Sequence, residues 1–275
     1  MTSKQDLIAG TLVRGMGYGV TLLFGDPAVL DRWMWLRRHL ARGPMRTLDA
    51  GCGSGAFTMY SAAIGNDAIG LSHDESNNRK AQARARQAGV KTARFLTRDL
   101  RRLGEFAGEG EPFDQVICCE VIEHIADDRA VVRHLARLLR PGGRLLLTTP
   151  YKHYRPLLGD RLSESEDGGH VRWGYTHAEL GALLAEAGIE MERADYLSGF
   201  VTQQLINAMR LLARVSLPLA WVLTFPLRAL ALVDRPLTAV LGYPYLSAAV
   251  VGVKRDRAAP RGRPERPKEE YARGD

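Results

Sequence analysis

The composition of this 275-residue chain is that of a folded protein, since 45% of its side chains are hydrophobic and 25% are charged. A chain of this length can bury a full core, so we expect one main domain with appendages. The formal charge of +7 would favour an anionic partner such as DNA only if the basic residues were clustered. They are scattered, and the composition therefore predicts no DNA-binding face.

The N-terminal segment, 1–45, is predicted to form helices that cover the main domain. Its first residues lack the apolar run of a secretory leader. The cysteines, Cys52, Cys118 and Cys119, fall in segments predicted to be buried and lack metal-ligand spacing, which indicates a reducing compartment. We therefore expect a cytoplasmic protein.

Between 46 and 198, short β-like runs alternate with helical periodicity, which is typical of a parallel sheet with crossover helices. Amphipathic helices are predicted at Glu75–Ala88 and at Ala126–Arg140, the second ended by Pro141-Gly142. Another begins at the capping box Thr176-His177-Ala178-Glu179 and runs to Ala187. The range 246–253 supplies the last strand of the same sheet. The predicted strands are Arg46–Ala50, Asp67–Ser72, Ala93–Thr97, Phe113–Cys119, Arg144–Thr149, Glu190–Tyr196 and Ser247–Val253.

The segment 199–245 is apolar and rich in proline, and it predicts short helices rather than a loop. The 13 uncharged residues between Arg214 and Arg228 are too few for a spanning helix, which needs ~20. The segment is therefore a lid over the active site, a second core layer, or an element at the inner face of a membrane whose arginines meet lipid head groups. The proline-rich segment that follows, 254–275, is predicted to be a disordered tail.

A glycine-rich turn follows the first strand in the pattern Asp49-x-Gly51-x-Gly53-x-Gly55. Glycine lets the backbone bend sharply and approach a ligand closely, because it has no Cβ. The nicotinamide fingerprint requires a different glycine spacing and an acidic residue where this chain has Ser72. The Asp49 carboxylate would repel a pyrophosphate but suits a ligand with an amino group and a sulfonium cation.

The segment from Leu48 to Gly55 resembles the first motif of class I S-adenosylmethionine-dependent methyltransferases. Phe113-Asp114-Gln115-Val116-Ile117 and Leu139-Arg140-Pro141-Gly142-Gly143-Arg144-Leu145 resemble two further motifs of that family, in the same order. The resemblance implies an α/β fold with a Rossmann-like, doubly wound sheet of seven strands, and S-adenosylmethionine as cofactor. It also implies that Asp99 receives the adenine amino group.

Ser72 departs from the family pattern, which often has an acidic residue at this position to hold the ribose hydroxyls. The Ser72 hydroxyl could bind a ribose oxygen, although less strongly than a carboxylate. It could equally cap the next helix. We keep Ser72 as a candidate cofactor contact beside Asp49, Gly51, Gly53, Gly55, Asp99 and Glu120.

Directly after the fourth strand comes Glu120-Val121-Ile122-Glu123-His124, at the sheet edge where ligands of open α/β folds bind. This segment, with His170, is similar to segments of ubiquinone-biosynthesis O-methyltransferases and of small-RNA 2′-O-methyltransferases. The resemblance implies that Glu120, Glu123, His124 and His170 could hold Mg²⁺ or another divalent ion beside the acceptor. The alternative is a metal-free site in which His124 or His170 acts as a general base.

The leading hypothesis is a methyltransferase that O-methylates a lipophilic small molecule, such as a prenylated phenol, a lipid intermediate or a secondary metabolite. The motifs are the basis for methylation, and the apolar segment 199–245 is the basis for a lipophilic acceptor. Two alternatives stay open. One is a non-catalytic protein that binds a membrane surface. The other is an RNA 2′-O-methyltransferase, and the lack of an obvious basic aromatic platform in the sequence counts against it.

Overall fold

A computed structural model of the protein describes residues 26–105 and 110–255. Its centre is a seven-stranded sheet in the order β3-β2-β1-β4-β5-β7-β6. The strands from β1 to β5 run parallel, whereas β7 is antiparallel to both β5 and β6. The strands are β1 Arg46–Ala50, β2 Asp67–Ser72, β3 Ala93–Thr97, β4 Phe113–Cys119, β5 Leu139–Pro150, β6 Ile189–Leu197 and β7 Ser247–Lys254.

The order of the sheet confirms the predicted α/β, doubly wound fold. β1 pairs with β2 on one side and with β4 on the other, so the chain reverses its direction of winding between β1 and β4. In open α/β sheets, ligands bind outside the carboxyl ends of the strands at such a reversal. The glycine turn after β1 and the Glu120 segment after β4 therefore lie next to each other.

Helices pack on both faces of the sheet and bury its apolar side chains in separate clusters. One cluster contains Val131, Val132 and Leu135 of the helix after β4, and the other contains Trp33 and Trp35 of the first described helix. The helices are α1 Pro27–His39, α2 Ala56–Ala63, α3 Glu75–Ala88, α4 Asp128–Leu138, α5 His177–Glu186, α6 Phe200–Ala213, α7 Leu217–Thr224 and α8 Asp234–Leu241. Short 3₁₀ segments lie at Leu100–Glu105, Ile122–His124 and Pro226–Val233.

Several predicted boundaries were wrong, and the largest error is in β5, which begins at Leu139 rather than at Arg144. Helix α4 ends at Leu138 rather than Arg140, and Pro141 lies inside β5 instead of ending the helix. The residue before a proline favours extended backbone, so the chain is already a strand when it reaches Pro141. Lys254, which we assigned to the tail, pairs with Ile189 as the last residue of β7. Residues 1–25 and the rest of the predicted tail, 256–275, lie outside the described residues.

The predicted capping box is present at the start of α5, where Thr176 and Glu179 bond to each other's backbone N–H groups. Segment 199–245 forms the predicted short helices. Asp234 of α8 anchors it, because the buried carboxylate accepts hydrogen bonds from the N–H groups of Gly199 and Val201 and from the Thr202 hydroxyl. Within the ranges that the structure describes, the helices all fall short of the length and apolar character needed to cross a bilayer.

Candidate active site

The glycine turn after β1 needs glycine for backbone conformation and for space. Gly51, Gly53 and Gly55 all have positive φ, at 84°, 50° and 84°. A Cβ on Gly51 would lie 2.4 Å from Val121, whereas one on Gly53 would meet no heavy atom within 4 Å. Gly53 also lines a cavity of about 250 Å³, which we call the glycine-turn cavity. The backbone at Gly53 is therefore open to a ligand.

Asp49 lies behind this turn rather than on the cavity wall. Its side chain is buried, and one carboxylate oxygen accepts a hydrogen bond from the Thr58 hydroxyl at 2.6 Å. Burial raises the pKa of Asp49 to about 6, against the lowering effect of the Thr58 hydrogen bond. The carboxylate stabilises the turn through Thr58, and its predicted contact with a cationic ligand stays a prediction.

Ser72 and Asp99 both line the glycine-turn cavity. The Ser72 hydroxyl also accepts a hydrogen bond from the Asp74 N–H at 3.2 Å, so it is part of the turn that leads into α3. Asp99 binds the Arg101 guanidinium through both carboxylate oxygens, at 2.9 Å from Nε. The Arg101 hydrogen bond lowers the pKa of Asp99 and keeps it ionised as an acceptor. Arg101 was missing from the sequence-based set of site residues.

The two histidines and Glu123 come together beside this cavity, and His124 is the member of the group that lines its wall. One ligand atom from each of Glu123, His124 and His170 lies within 4.8 Å of the others. Glu123 is fully buried, and its Oε1 has no hydrogen-bond partner. Burial, and next the charge of Glu120, raises the pKa of Glu123 well above its ordinary value. A buried carboxylate oxygen without a donor, facing two imidazoles, is a chemical fit for a cation.

Glu120 lies near this group but is not part of it. It has a positive φ of 54°, which is unusual for a residue with a Cβ, and its carboxylate accepts a hydrogen bond from the Thr148 hydroxyl at 3.0 Å. His124 is held by a contact of 2.9 Å between Nδ1 and the Gly169 carbonyl oxygen. Burial, and next the neighbouring His124, lowers the pKa of His170. The structure thus groups three of the four predicted ligands.

A second cavity of about 290 Å³ lies between α1 and α6, and we call it the α1–α6 cavity. Glu120 lines both cavities, so they adjoin at this side chain. Seven of the thirteen wall residues are apolar or aromatic, and Asp26, Arg32, Asp160, His170 and Arg210 add charged or polar groups beside Glu120. Of the aromatic residues after β5, Tyr154 lines this cavity. The apolar and aromatic wall residues are Ala28, Val29, Pro150, Tyr154, Leu157, Ile206 and Leu246.

Arg32 of α1 is the main residue that the sequence reasoning missed. It lines the α1–α6 cavity, its side chain is 16% exposed, and its Nε has no hydrogen-bond partner. The Glu120 carboxylate is 4.0 Å away, too far for a direct hydrogen bond. A buried guanidinium whose Nε–H is unpartnered is suited to bind an anionic group. Nothing in the local sequence of α1 marks this arginine among its neighbours.

Comparison with known proteins agrees with this geometry. A family model described as a methyltransferase domain matches residues 31–194. The ubiquinone biosynthesis O-methyltransferase of Azorhizobium caulinodans is 32% identical over 178 residues, which are 62% of this chain and 67% of that protein. The chain belongs to the family of S-adenosylmethionine-dependent methyltransferases. A ubiquinone biosynthesis O-methyltransferase from Xanthomonas axonopodis pv. citri is 29% identical to this chain. The match covers 66% of this chain and 77% of the relative.

Solved structures share the fold of the methyltransferase. The [4+2]-cyclase SpnF aligns with a TM-score of 0.60 and 20% identity over 90% of this chain and 97% of the other. A putative sarcosine dimethylglycine methyltransferase from Galdieria sulphuraria aligns with a TM-score of 0.57 and 18% identity, over 81% of this chain and 85% of the other. At this identity the likeness concerns the fold alone.

The glycine-turn cavity fits S-adenosylmethionine, the cofactor of the family. Gly53 presents backbone without an obstructing Cβ, while Ser72 and Asp99 add oxygen acceptors to the wall. These are the groups that a ribose and an adenine amino group require. A cavity whose wall suits the cofactor therefore adjoins a second cavity, which apolar and charged side chains line together.

Proposed function

We propose that the protein transfers a methyl group from S-adenosylmethionine to a hydroxyl of a lipophilic small molecule. The observation that carries the proposal is the α1–α6 cavity, which has a partly apolar and aromatic wall and adjoins the glycine-turn cavity at Glu120. Curated relatives are named ubiquinone biosynthesis O-methyltransferases, and this name supports a lipophilic acceptor. A prenylated phenol, a lipid intermediate or a secondary metabolite fits such a wall.

In this proposal the glycine turn binds the amino-acid part of the cofactor, and Ser72 and Asp99 bind its ribose and adenine. Arg32 binds the carboxylate of the methionine moiety, because this is the anionic group of the cofactor and the Nε–H of Arg32 has no hydrogen-bond partner. Methyl transfer is a displacement at a carbon that the sulfonium already activates, so positioning is the main task of the protein. The methyl group would pass from the sulfonium sulfur to the acceptor oxygen, with S-adenosylhomocysteine as the leaving thioether, and the hydroxyl proton would go to a base of the site or to solvent.

Glu123, His124 and His170 would hold a divalent ion beside the acceptor, with Glu120 nearby but bonded to Thr148. A divalent ion lowers the pKa of an acceptor hydroxyl and orients its oxygen. One carboxylate and two imidazoles suit a first-row transition ion better than Mg²⁺, which prefers oxygen ligands. Without an ion, His170 is the better candidate base, because burial keeps its imidazole neutral and it lines the α1–α6 cavity.

Segment 199–245 contributes to this function in two ways. Helix α6 closes the α1–α6 cavity with Ile206 and Arg210, which is the role of a lid. The rest of the segment contacts a membrane surface, which would supply a lipophilic acceptor. The two roles are compatible, since Ile206 and Arg210 of α6 line the cavity while Leu211, near the end of the same helix, is exposed to solvent.

The purified full-length protein should be incubated with methyl-labelled S-adenosylmethionine and a fractionated cell extract. The proposal predicts label in an organic-soluble product whose methyl group resists alkaline hydrolysis, as an ether does. Label that disappears after ribonuclease treatment would instead make the protein an RNA methyltransferase. A protein that labels no fraction, although it binds the cofactor, would refute the proposed activity.

The metal is tested with Glu123→Gln, and Glu164→Gln, at an exposed position in a loop, is the matched control. Titration with Mn²⁺ in a calorimeter should show binding to the wild-type chain and to the control, and none to Glu123→Gln. Chelator should then reduce methyl transfer by the wild-type chain. Heat absent from all three titrations would favour the metal-free site with His170 as base.

A further inference from the structure

Residues 26–105 and 110–255 include a large concentration of exposed apolar side chains. Of the fifteen large hydrophobic residues that are exposed among the described residues, twelve lie between 211 and 241. Val215 and Val240 are 81% and 84% exposed. We call the twelve the apolar surface: Leu211, Val215, Leu217, Leu219, Val222, Leu223, Phe225, Leu227, Leu230, Val233, Val240 and Leu241.

This exposure belongs to an anchored element rather than to a loose segment. The Asp234 carboxylate ties α8 to the first turn of α6, and the Ser216 side chain caps α7. Large exposed apolar patches on folded proteins mark sites of contact with a membrane or another protein. The apolar surface is therefore held in place while its side chains face outward.

The charges on segment 199–245 point to the chemistry of the partner. The segment contains four arginines, one aspartate and neither lysine nor glutamate. The aspartate, Asp234, is buried and hydrogen-bonded within the fold, so the exposed charges are positive. Arg214 and Arg235 are exposed and form no ion pair within the ranges described. An apolar face bordered by cations matches the interface of an anionic bilayer.

We propose that the apolar surface docks the protein on a membrane that contains anionic lipids, with Arg214 and Arg235 at the head groups. The helices are too short to span the bilayer, so they lie in the interface with their apolar side chains among the acyl chains. This inference rests on the proposed lipophilic acceptor and adds the lipid class and the residues of the docking surface.

Docking also explains how a lipophilic acceptor reaches the cavity. Arg210 lines the α1–α6 cavity, and the next residue of α6, Leu211, belongs to the apolar surface. A membrane on this surface would lie within one side chain of the cavity wall. An acceptor dissolved in the bilayer could then enter the cavity without crossing water.

The test is flotation of the full-length protein with vesicles of phosphatidylcholine, with and without about a third of phosphatidylglycerol. Val222→Asp places a charge in the apolar surface, and Leu96→Asp is the control at an exposed apolar position elsewhere. Burial of a valine is worth about 1.5 kcal/mol or more, so Val222→Asp should weaken binding to the mixed vesicles at least tenfold. Leu96→Asp should bind like the wild-type chain.

The charge requirement is tested with the double variant Arg214→Gln/Arg235→Gln. Each arginine near an anionic surface contributes about 1 kcal/mol, so the pair should weaken binding to phosphatidylglycerol vesicles roughly thirtyfold. Arg133→Gln/Arg137→Gln, on exposed positions of α4, makes the same change in net charge and should have little effect. Salt should reduce binding of the wild-type chain.

Calorimetry with S-adenosylhomocysteine separates this inference from the proposed function, because every variant should keep wild-type cofactor affinity. A wild-type chain that binds neither kind of vesicle would overturn the docking proposal and leave the methyltransferase intact. So would equal binding by Val222→Asp and the wild-type chain. A lipid-free dimer that Val222→Asp converts to a monomer would show that a second copy covers the surface, and this also overturns it. Docking without methyl transfer to any extract fraction would refute the proposed activity alone.

Discussion

Replacing Gly53 with alanine should separate the stability of the glycine turn from its role in cofactor binding. Gly53 has a φ of 50°, and an added Cβ would meet no heavy atom within 4 Å. The left-handed backbone alone then costs about 1–2 kcal/mol in the free energy of unfolding. The new methyl group would lie in the glycine-turn cavity. Overpacking against a bound cofactor costs about 1–3 kcal/mol, which is roughly a five- to 150-fold increase in Kd.

Gly89→Ala is the matched control for this experiment. Gly89 ends α3 with a φ of 68°, and an added Cβ would again meet no heavy atom within 4 Å. Both variants should lose a similar free energy of unfolding in urea. Only Gly53→Ala should weaken the binding of S-adenosylhomocysteine in calorimetry. Equal Kd values for the wild-type chain and both variants would refute the inference that the cofactor packs against this turn.

Three further predictions concern buried or cavity-lining side chains. Since burial raises the pKa of Asp49 from 3.8 to about 6, its contribution to the free energy of unfolding is present at low pH and is lost as pH rises through 6. The unfolding free energy of the wild-type chain minus that of Asp49→Asn should therefore fall by about 3 kcal/mol between pH 3.5 and pH 7, and a flat difference would contradict the shift. Ser72→Asp should lower the Kd for S-adenosylhomocysteine about fivefold in calorimetry, because a carboxylate makes stronger hydrogen bonds to ribose hydroxyls; unchanged affinity would place the ribose elsewhere. Asp234→Ala should destabilise the start of α6 by about 3 kcal/mol, because it leaves buried N–H groups without a partner. The loss should be seen as faster amide exchange at Gly199 and Val201, with exchange in β4 as the internal reference.

Local patterns in the sequence predicted most of the fold. The strand runs, the capping box at Thr176 and the helix stop at Gly89 depend on neighbouring residues, so they can be found without tertiary information. The boundary at Pro141 failed because Arg140 could continue a helical pattern or begin a strand. Pairing of β5 with β4 decided for the strand.

The site could be predicted only where its residues follow one strand. Gly53, Glu123 and His124 were found because motifs place them directly after β1 and β4. Arg32 and Arg101 were missed, since their roles arise from contacts with Glu120 and Asp99 that no local pattern encodes. Glu120 shares a sequence segment with Glu123, yet its left-handed backbone turns it towards Thr148 and away from the three grouped ligands.

The antiparallel strand β7 has a consequence for how the chain matures. Both β5 and β6 bond to β7, and β6 reaches the rest of the sheet through it. A nascent chain that has left the ribosome as far as α8 therefore exposes an open edge of β5 and an unattached β6. Until β7 is made, helices α7 and α8 are present but the sheet is incomplete. Early contact with a chaperone or a lipid surface would protect the growing chain from aggregation.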